Sequence, residues 1–492
     1  MKYILAIDQS TSGTKALLFE TTGAAVASAS VSHQQHYPRP GWVEHDAEEL
    51  YGNTIAALRE LLEQHPTSHE DILCLSIANQ RETIVVFDRS TGRPLRNAIV
   101  WQCRRGDPIC AELEAAGHGP EVKRITGLKI DTYFSASKLK WLFENEPDVK
   151  GAVESGEALI GTIDTYLIYR LTGGRVFATD HTNASRTLLF DIRELQFSDT
   201  LCELFGVPVA ALPESRDCSA EFGETTLDGL LEAGIPICGV IGDSQGALFA
   251  QRCFQPGSAK VTFGTGSSVL LNVGDRPRLS EQGIVTTIAW VHEGRPTYAF
   301  EGIINCQGAT VQWLKDQLGL LDDVAASEAL ATGVPDNGGV YLVPAFAGLS
   351  APHWSQDARA AIVGLSLQSN KKHIARAALE AIAYQVKDVL DVMATEAGVA
   401  LQYVNADGGI VRNRFLMQFV ADVTGLSVRT SDLPELSALG AVFSGALGMG
   451  VCNSLSDLEQ LELGFTDYSP KMDADTVQRN YSGWKAAVNR VL

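Results

Sequence analysis

Two stretches of the chain share one plan. Tyr3 to Ile7 is an aliphatic and β-branched run that ends at Asp8, passes through Gln-Ser-Thr-Ser-Gly-Thr-Lys15 and resumes as Ala-Leu-Leu-Phe19. Ala259-Lys-Val-Thr-Phe263, Gly-Thr-Gly-Ser-Ser268 and Val-Leu-Leu-Asn-Val273 repeat the plan: strand, a turn of hydroxyls and glycines, strand. Two such hairpins, about 250 residues apart, predict two related domains facing each other across a nucleotide cleft. Ser10, Thr11, Ser12 and Gly13 can present N–H and O–H groups to a phosphate, Lys15 adds positive charge, and Asp8 can hold Mg²⁺ through water. An ordinary polar hairpin turn is the alternative for the first element taken alone.

Length agrees with two domains. At 492 residues, 45% of them apolar, the chain exceeds what one core organises, and the division is placed at 1–250 and 251–492. A net charge of -20 argues against nucleic acid or an anionic membrane as the main partner, because phosphates would be repelled over most of the surface. The nine cysteines are scattered singly with no C-x-x-C pair, which fits buried reduced thiols in a cytoplasmic protein. There is no apolar run long enough to span a membrane, and the N-terminus enters a strand without a signal-peptide cleavage site.

The chemistry is placed at Ile237-Cys-Gly-Val-Ile-Gly-Asp-Ser-Gln-Gly-Ala-Leu-Phe-Ala250, which reads as a strand, a tight turn at Asp243 and a helix start. A carboxylate there can take a proton from a bound hydroxyl; a helix N-cap is its alternative reading. The strand Ile72 to Ile77 delivers Asn79-Gln-Arg-Glu-Thr83, and Ala98-Ile-Val-Trp101 delivers Gln-Cys-Arg-Arg105. Glu82 can accept from hydroxyls, Arg81 can donate to them, Trp101 offers an apolar face to C–H groups, and Tyr133 can reach the same pocket. Asn405-Ala-Asp-Gly-Gly409, before the helix Phe415 to Ala421, is a third loop suited to a flat or phosphorylated ligand, or else a plain strand-to-helix turn. Helices starting at Asp46 and Gly308 and spanning Ala375 to Thr395 read as packing elements. Gly151 to Val240 adds strand and helix alternations with little chemistry, and the tail from Asp457 is polar, with weak periodicity.

Across its length the chain resembles the FGGY carbohydrate kinases, and within them the glycerol kinases. The resemblance is carried by Ala6-Ile-Asp-Gln-Ser-Thr-Ser-Gly-Thr-Lys15, Pro40-Gly-Trp-Val-Glu-His-Asp46, Asn79 to Thr83, Ala98 to Arg105, Thr182-Asn-Ala-Ser-Arg186, Gly242-Asp-Ser-Gln-Gly246, Phe263-Gly-Thr-Gly266 and Asp407-Gly-Gly409. Longer signatures at Tyr133 to Asn145 and Ala360 to Glu380 also match. It implies an α/β, actin-like ATPase fold of two ribonuclease-H-like domains and ATP-dependent phosphorylation of a polyol or sugar hydroxyl. Position by position, it implies that Asp243 is the catalytic base and that Arg81, Glu82, Trp101, Tyr133, Ser244 and Ser268 form the polyol pocket. Thr11, Ser12 and Lys15 fall at nucleotide positions of the first domain, and Thr265, Gly308, Gln312, Gly409 and Asn413 at those of the second. The expected cofactors are ATP and Mg²⁺, and the expected partner is a small polyol or sugar, with a homodimer or homotetramer left open.

Some positions depart from the glycerol kinase pattern. Ser244 stands where a glutamine usually bonds glycerol, and Ser268 where a phenylalanine usually packs against it, so the pocket is expected to be roomier and to admit a tetritol, pentitol or ketose. Glu232-Ala-Gly-Ile-Pro236 lacks the arginine of the sugar-bisphosphate regulatory loop, and Lys15 replaces an arginine without its bidentate fork. Two rival readings stand beside this one. Gly242-Asp-Ser-Gln-Gly246 also fits the nucleophile elbow of a serine hydrolase, with Ser244 as nucleophile and His292, His353 or His373 as partner. A nucleotide-switched binding protein is the other, since actin-like folds serve such roles too.

Overall fold

The structure is a computed structural model and describes residues 2–431, 433, 435–461 and 464–492. Two mixed sheets organise it, one from each half of the chain. The first runs in the order Glu221–Thr225, Ile235–Gly242, Ile72–Asn79, Tyr3–Gln9, Gly13–Glu20, Ala25–Ser32. The second runs Val285–His292, Arg295–Ile304, Ser267–Gly274, Ser258–Phe263, Tyr403–Asp407, Ser427–Ser431, Phe465–Tyr468. Their centres pair alike. Tyr3–Gln9 is antiparallel to its hairpin partner and parallel to Ile72–Asn79, which is parallel to Ile235–Gly242. Ser258–Phe263 is antiparallel to its hairpin partner and parallel to Tyr403–Asp407, which is parallel to Ser427–Ser431. The repeat seen in the sequence is therefore a repeat of architecture.

The first strand reads as an unbroken apolar run because both of its faces are covered. Leu5 and Ile7 join the core beneath the helices Ala47–Gln64 and Ile163–Leu171. Ile4 and Ala6 face the other way, into a layer shared with the helices Asp243–Ala250 and Leu436–Gly448. The second of these helices comes from the C-terminal half, so this apolar layer joins the two halves. Backbones touch there: a Cβ on Gly440 would lie 2.0 Å from the Gly246 carbonyl oxygen, and one on Gly239 would lie 2.3 Å from that of Ala441.

Asp46 caps the helix Ala47–Gln64 by accepting from the Glu48 and Glu49 N–H groups. The helix expected from Ala375 to Thr395 runs from Lys371 to Ala397. The weakly periodic tail contains a helix, Ala474–Val488. Trp484 is buried, stacks on Tyr384 at 5.4 Å between ring centres and donates to Asp388 Oδ2 at 2.8 Å. The indole sits within a helically spaced face of Tyr481, Trp484, Ala487, Val488 and Val491, all of which pack on the C-terminal core. Glu462 and Leu463 of that tail lie outside the described residues. All nine cysteines are buried and unpaired, and among the described residues no helix is long and apolar enough to cross a membrane.

Gly440→Ala should lower stability by about 1–3 kcal/mol, because a methyl group there forces two backbones apart. Thermal unfolding of the variant tests this, and an unchanged midpoint would show that the helices are not packed this closely.

Candidate active site

The carboxyl ends of the central parallel strands in both sheets open onto one cavity of about 880 Å³, the crevice in which open α/β sheets bind ligands. From the first half it is lined by Asp8, Thr11, Arg81, Glu82, Trp101, Tyr133, Asp243 and Ser244. From the second half come Lys260, Ser268, Glu301 and Gly409, among others. A further hollow of about 510 Å³, lined by Thr265, Gly308, Gln312 and Gly409, adjoins it at Gly264 and Gly409. The geometry thus gathers the residues expected for a hydroxylated guest in the larger cavity and most of those expected for a nucleotide in it or in the adjoining hollow.

Beneath the cavity lies a buried charge cluster. Arg81 Nη2 donates to Glu301 Oε1 at 3.0 Å, Nη1 donates to Gln245 Oε1 at 3.2 Å, and Nε lies 3.1 Å from Asp243 Oδ1. Arg186 Nε donates to Glu82 Oε1 at 2.5 Å, and its Nη1 pairs with Glu301 Oε2. Both guanidiniums and both glutamates are 5% exposed or less. Burial alone would raise the Glu301 carboxyl, but Arg186 and Arg81 outweigh it and hold its pKa at about 2. Glu82 adopts left-handed backbone (φ 62°), which non-glycine residues seldom hold, and its carbonyl is gripped by Ser135 Oγ at 2.8 Å.

Asp243 is the first residue of the helix Asp243–Ala250, and the cap position falls on Gly242, so the N-cap reading does not hold. Its Oδ1 accepts the Ser244 N–H at 2.6 Å, and the side chain, 39% exposed, faces the cavity from the edge of the cluster. Trp101 Nε1 donates to Thr11 Oγ1 at 3.0 Å, which ties the indole to the first hairpin turn, and its ring meets Tyr133 at 5.2 Å. Asp8, at the end of the central strand, has its carboxyl pushed up to about 7 by burial and by the nearby charges of Asp243 and Glu435.

Three expected nucleotide residues line neither hollow. The Asn413 side chain is spent on the helix Arg414–Thr424, accepting from Leu416 N–H at 2.9 Å and donating to Ser327 Oγ at 3.3 Å. Ser12 is exposed at the tip of its turn, between Thr11 and Gly13. Lys15 is held 2.5 Å from Glu435 Oε1 across the cleft. Gln312 lines the smaller hollow with its amide bonded to Asp316 Oδ2 at 2.6 Å. The hydrolase pairing does not form. No histidine lines the cavity around Ser244 among the described residues, and His292, His353 and His373 lie beside Ser219, Asp388 and Asn370.

Glu301, Lys260 and Lys138 were not singled out by the sequence reading. The first two are charges inside otherwise apolar strands, which is itself a sign of a buried polar site. Lys138 is fully buried, and its ammonium is held by the carbonyls of Thr132, Tyr133 and Phe134, which fixes the turn that carries Tyr133. Burial lowers its pKa to about 8.

The fold and cavity define a two-domain enzyme of the actin-like ATPase class. The models of the FGGY family of carbohydrate kinases match the chain, the N-terminal domain over residues 3–250 and the C-terminal domain over 259–449. The chain belongs to this family and is a carbohydrate kinase. It is 46% identical to glycerol kinase 1 of Thermotoga maritima over 490 residues, covering 100% of this chain and 99% of that protein. It is 48% identical to the glycerol kinase of Symbiobacterium thermophilum over 491 residues, covering 99% and 98%. Among solved structures, the Plasmodium falciparum glycerol kinase with ADP superposes with a TM-score of 0.95 at 37% identity, covering 100% and 98%. A ligand-bound xylulose kinase from Lactobacillus acidophilus shares the fold, with a TM-score of 0.89 at 21% identity, covering 100% and 98%.

Glu301→Gln leaves two buried guanidiniums with one fewer carboxylate and should cost about 3–5 kcal/mol of stability, as breaking a buried ion pair does. Denaturant titration of the variant checks this. A midpoint equal to that of the parent chain would mean that the cluster is not dry.

Proposed function

We propose that this chain transfers the terminal phosphoryl group of ATP to a terminal hydroxyl of a polyol, converting glycerol to glycerol 3-phosphate. The supporting observation is that Asp243 shares one cavity with the hydroxyl-matching groups Arg81, Glu82, Trp101 and Tyr133 and with the two glycine and hydroxyl turns. In this reading residues 1–250 supply the polyol pocket, the first phosphate turn and the base, and residues 251–492 supply the second phosphate turn and the adenosine site.

Phosphoryl transfer asks the protein chiefly for positioning and for relief of charge. Asp243 accepts the proton of the attacking hydroxyl as the new oxygen–phosphorus bond forms and the bond to ADP breaks. Arg81, 3.1 Å away, keeps that carboxylate oriented toward the cavity. Trp101 and Tyr133 cover the carbon chain while Arg81 and Glu82 match its hydroxyls. Thr11 and the turn at Gly264–Ser268 direct N–H and O–H groups at phosphate oxygens, with Thr265, Gly308, Gln312 and Gly409 beside the nucleoside. Lys15 joins them by exchanging Glu435 for phosphate. Asp8 fits Mg²⁺: burial and then the neighbouring Asp243 and Glu435 carboxylates disfavour its charged form, and a cation nearby would favour it. No three metal-binding side chains converge among the described residues, which suits binding through water. Bound there, Mg²⁺ would offset charge on the triphosphate. The buried thiols fit a reducing, cytoplasmic setting.

One observation favours a longer substrate. Among the described residues Ser268 Oγ, in the wall of the cavity that Ser244 also lines, has no hydrogen-bond partner, and an extra hydroxyl of a tetritol or pentitol would supply one.

Two measurements test the proposal. ADP formation with a panel of polyols and ketoses should respond to glycerol, and a better response to a longer polyol would trace to the two serines; no response to any acceptor would favour the nucleotide switch. Asp243→Asn should lower kcat on the order of 10³-fold while ADP still binds. Retention of most of the activity would remove the base from position 243.

A further inference from the structure

Lys260 is a buried cation whose ammonium touches no carboxylate among the described residues. It lies in the strand Ser258–Phe263, where Ala259, Val261 and Phe263 face the C-terminal core. The two-residue period of a strand turns Lys260 and Thr262 to the opposite face, and both line the large cavity. Lys260 is 1% exposed, yet among the described residues its ammonium makes neither a hydrogen bond nor an ion pair. Burial lowers its pKa, while Asp407, Asp243 and Glu301 act on it favourably from around the cavity and Arg81 opposes them. Asp407, the foremost of these charges, accepts from Gln251 and makes no ion pair in contact with the ammonium. An ammonium buried with carboxylates nearby but none in contact gains most from an anion that enters the cavity and meets it directly. Lys260 stands four residues before the glycine turn at Gly264 and lines the same cavity as that turn and Asp243.

We propose that Lys260 is a catalytic residue whose ammonium contacts the phosphoryl group in transit and offsets the charge on its oxygens between ATP and the hydroxyl held by Asp243. This rests on the phosphotransfer reading above. The ammonium gains and loses no proton: the hydroxyl proton goes to Asp243, one oxygen–phosphorus bond forms and the bond to ADP breaks. Such a fixed charge acts most strongly where charge spreads in the transition state, so its removal should fall on kcat more than on binding.

The experiment begins with the unaltered chain, because its failure to form ADP with any polyol would overturn the phosphotransfer reading, whatever Lys260 does. Given turnover, Lys260→Met should lower kcat by roughly 100-fold or more, while the KM for glycerol and the Kd for ADP move by less than about three-fold. Its melting temperature should stay level or rise, because an unpaired buried charge has been replaced by an apolar chain of similar length. Lys260→Ala should recover part of its kcat when ethylammonium is added. A kcat for Lys260→Met within about three-fold of the parent would overturn the proposal. So would a lost kcat that comes with a lowered melting temperature and no recovery by ethylammonium, since the lysine would then serve only the fold.

Discussion

Arg81 is the hinge of the structure's chemistry. Its guanidinium joins Asp243 and Gln245 at the start of one helix to Glu301 on a strand of the other sheet. Taking such charges out of water is expensive, and two guanidiniums against two glutamates are tolerable only because each carboxylate meets a donor at close range. The neutralisation requires both halves of the chain. Glu301 comes from the second sheet, so Asp243 is aimed correctly only when the two sheets are correctly placed.

That placement is made by backbones rather than by long side chains. The helices Asp243–Ala250 and Leu436–Gly448 touch through Gly246 and Gly440, and the same apolar layer receives one face of the first strand. Close packing of this kind has few soft degrees of freedom, so the cavity inherits a defined width and the groups across it a defined separation. Lys15 from the first half and Glu435 from the second add an ion pair between the two halves.

Much of this was legible in the chain, for physical reasons that differ from place to place. The two hairpins announced the repeated architecture because strand, glycine turn and strand are all local. Asp243, Arg81, Glu82 and Trp101 were visible at the ends of apolar runs and Tyr133 at a turn before a helix, and the structure brings them to one cavity. Glu301 and Lys260 were passed over because a single charge within a strand takes its meaning from partners far away in sequence. Asn413 sits where nucleotide residues were expected, but a helix starts at the next residue and takes up its side chain. The tail helix was missed although its apolar face, Tyr481, Trp484, Val488 and Val491, has helical spacing, because polar residues outnumber that face in the tail.

The central claim is that hydroxyl and triphosphate meet in front of Asp243. A crystal structure of the chain with glycerol and a non-hydrolysable ATP analogue tests it most directly. A terminal hydroxyl should lie within hydrogen-bonding distance of the Asp243 carboxylate, with the terminal phosphate of the analogue on its far side in the same cavity. Glycerol bound away from Asp243, or separated from the triphosphate by protein, would contradict it.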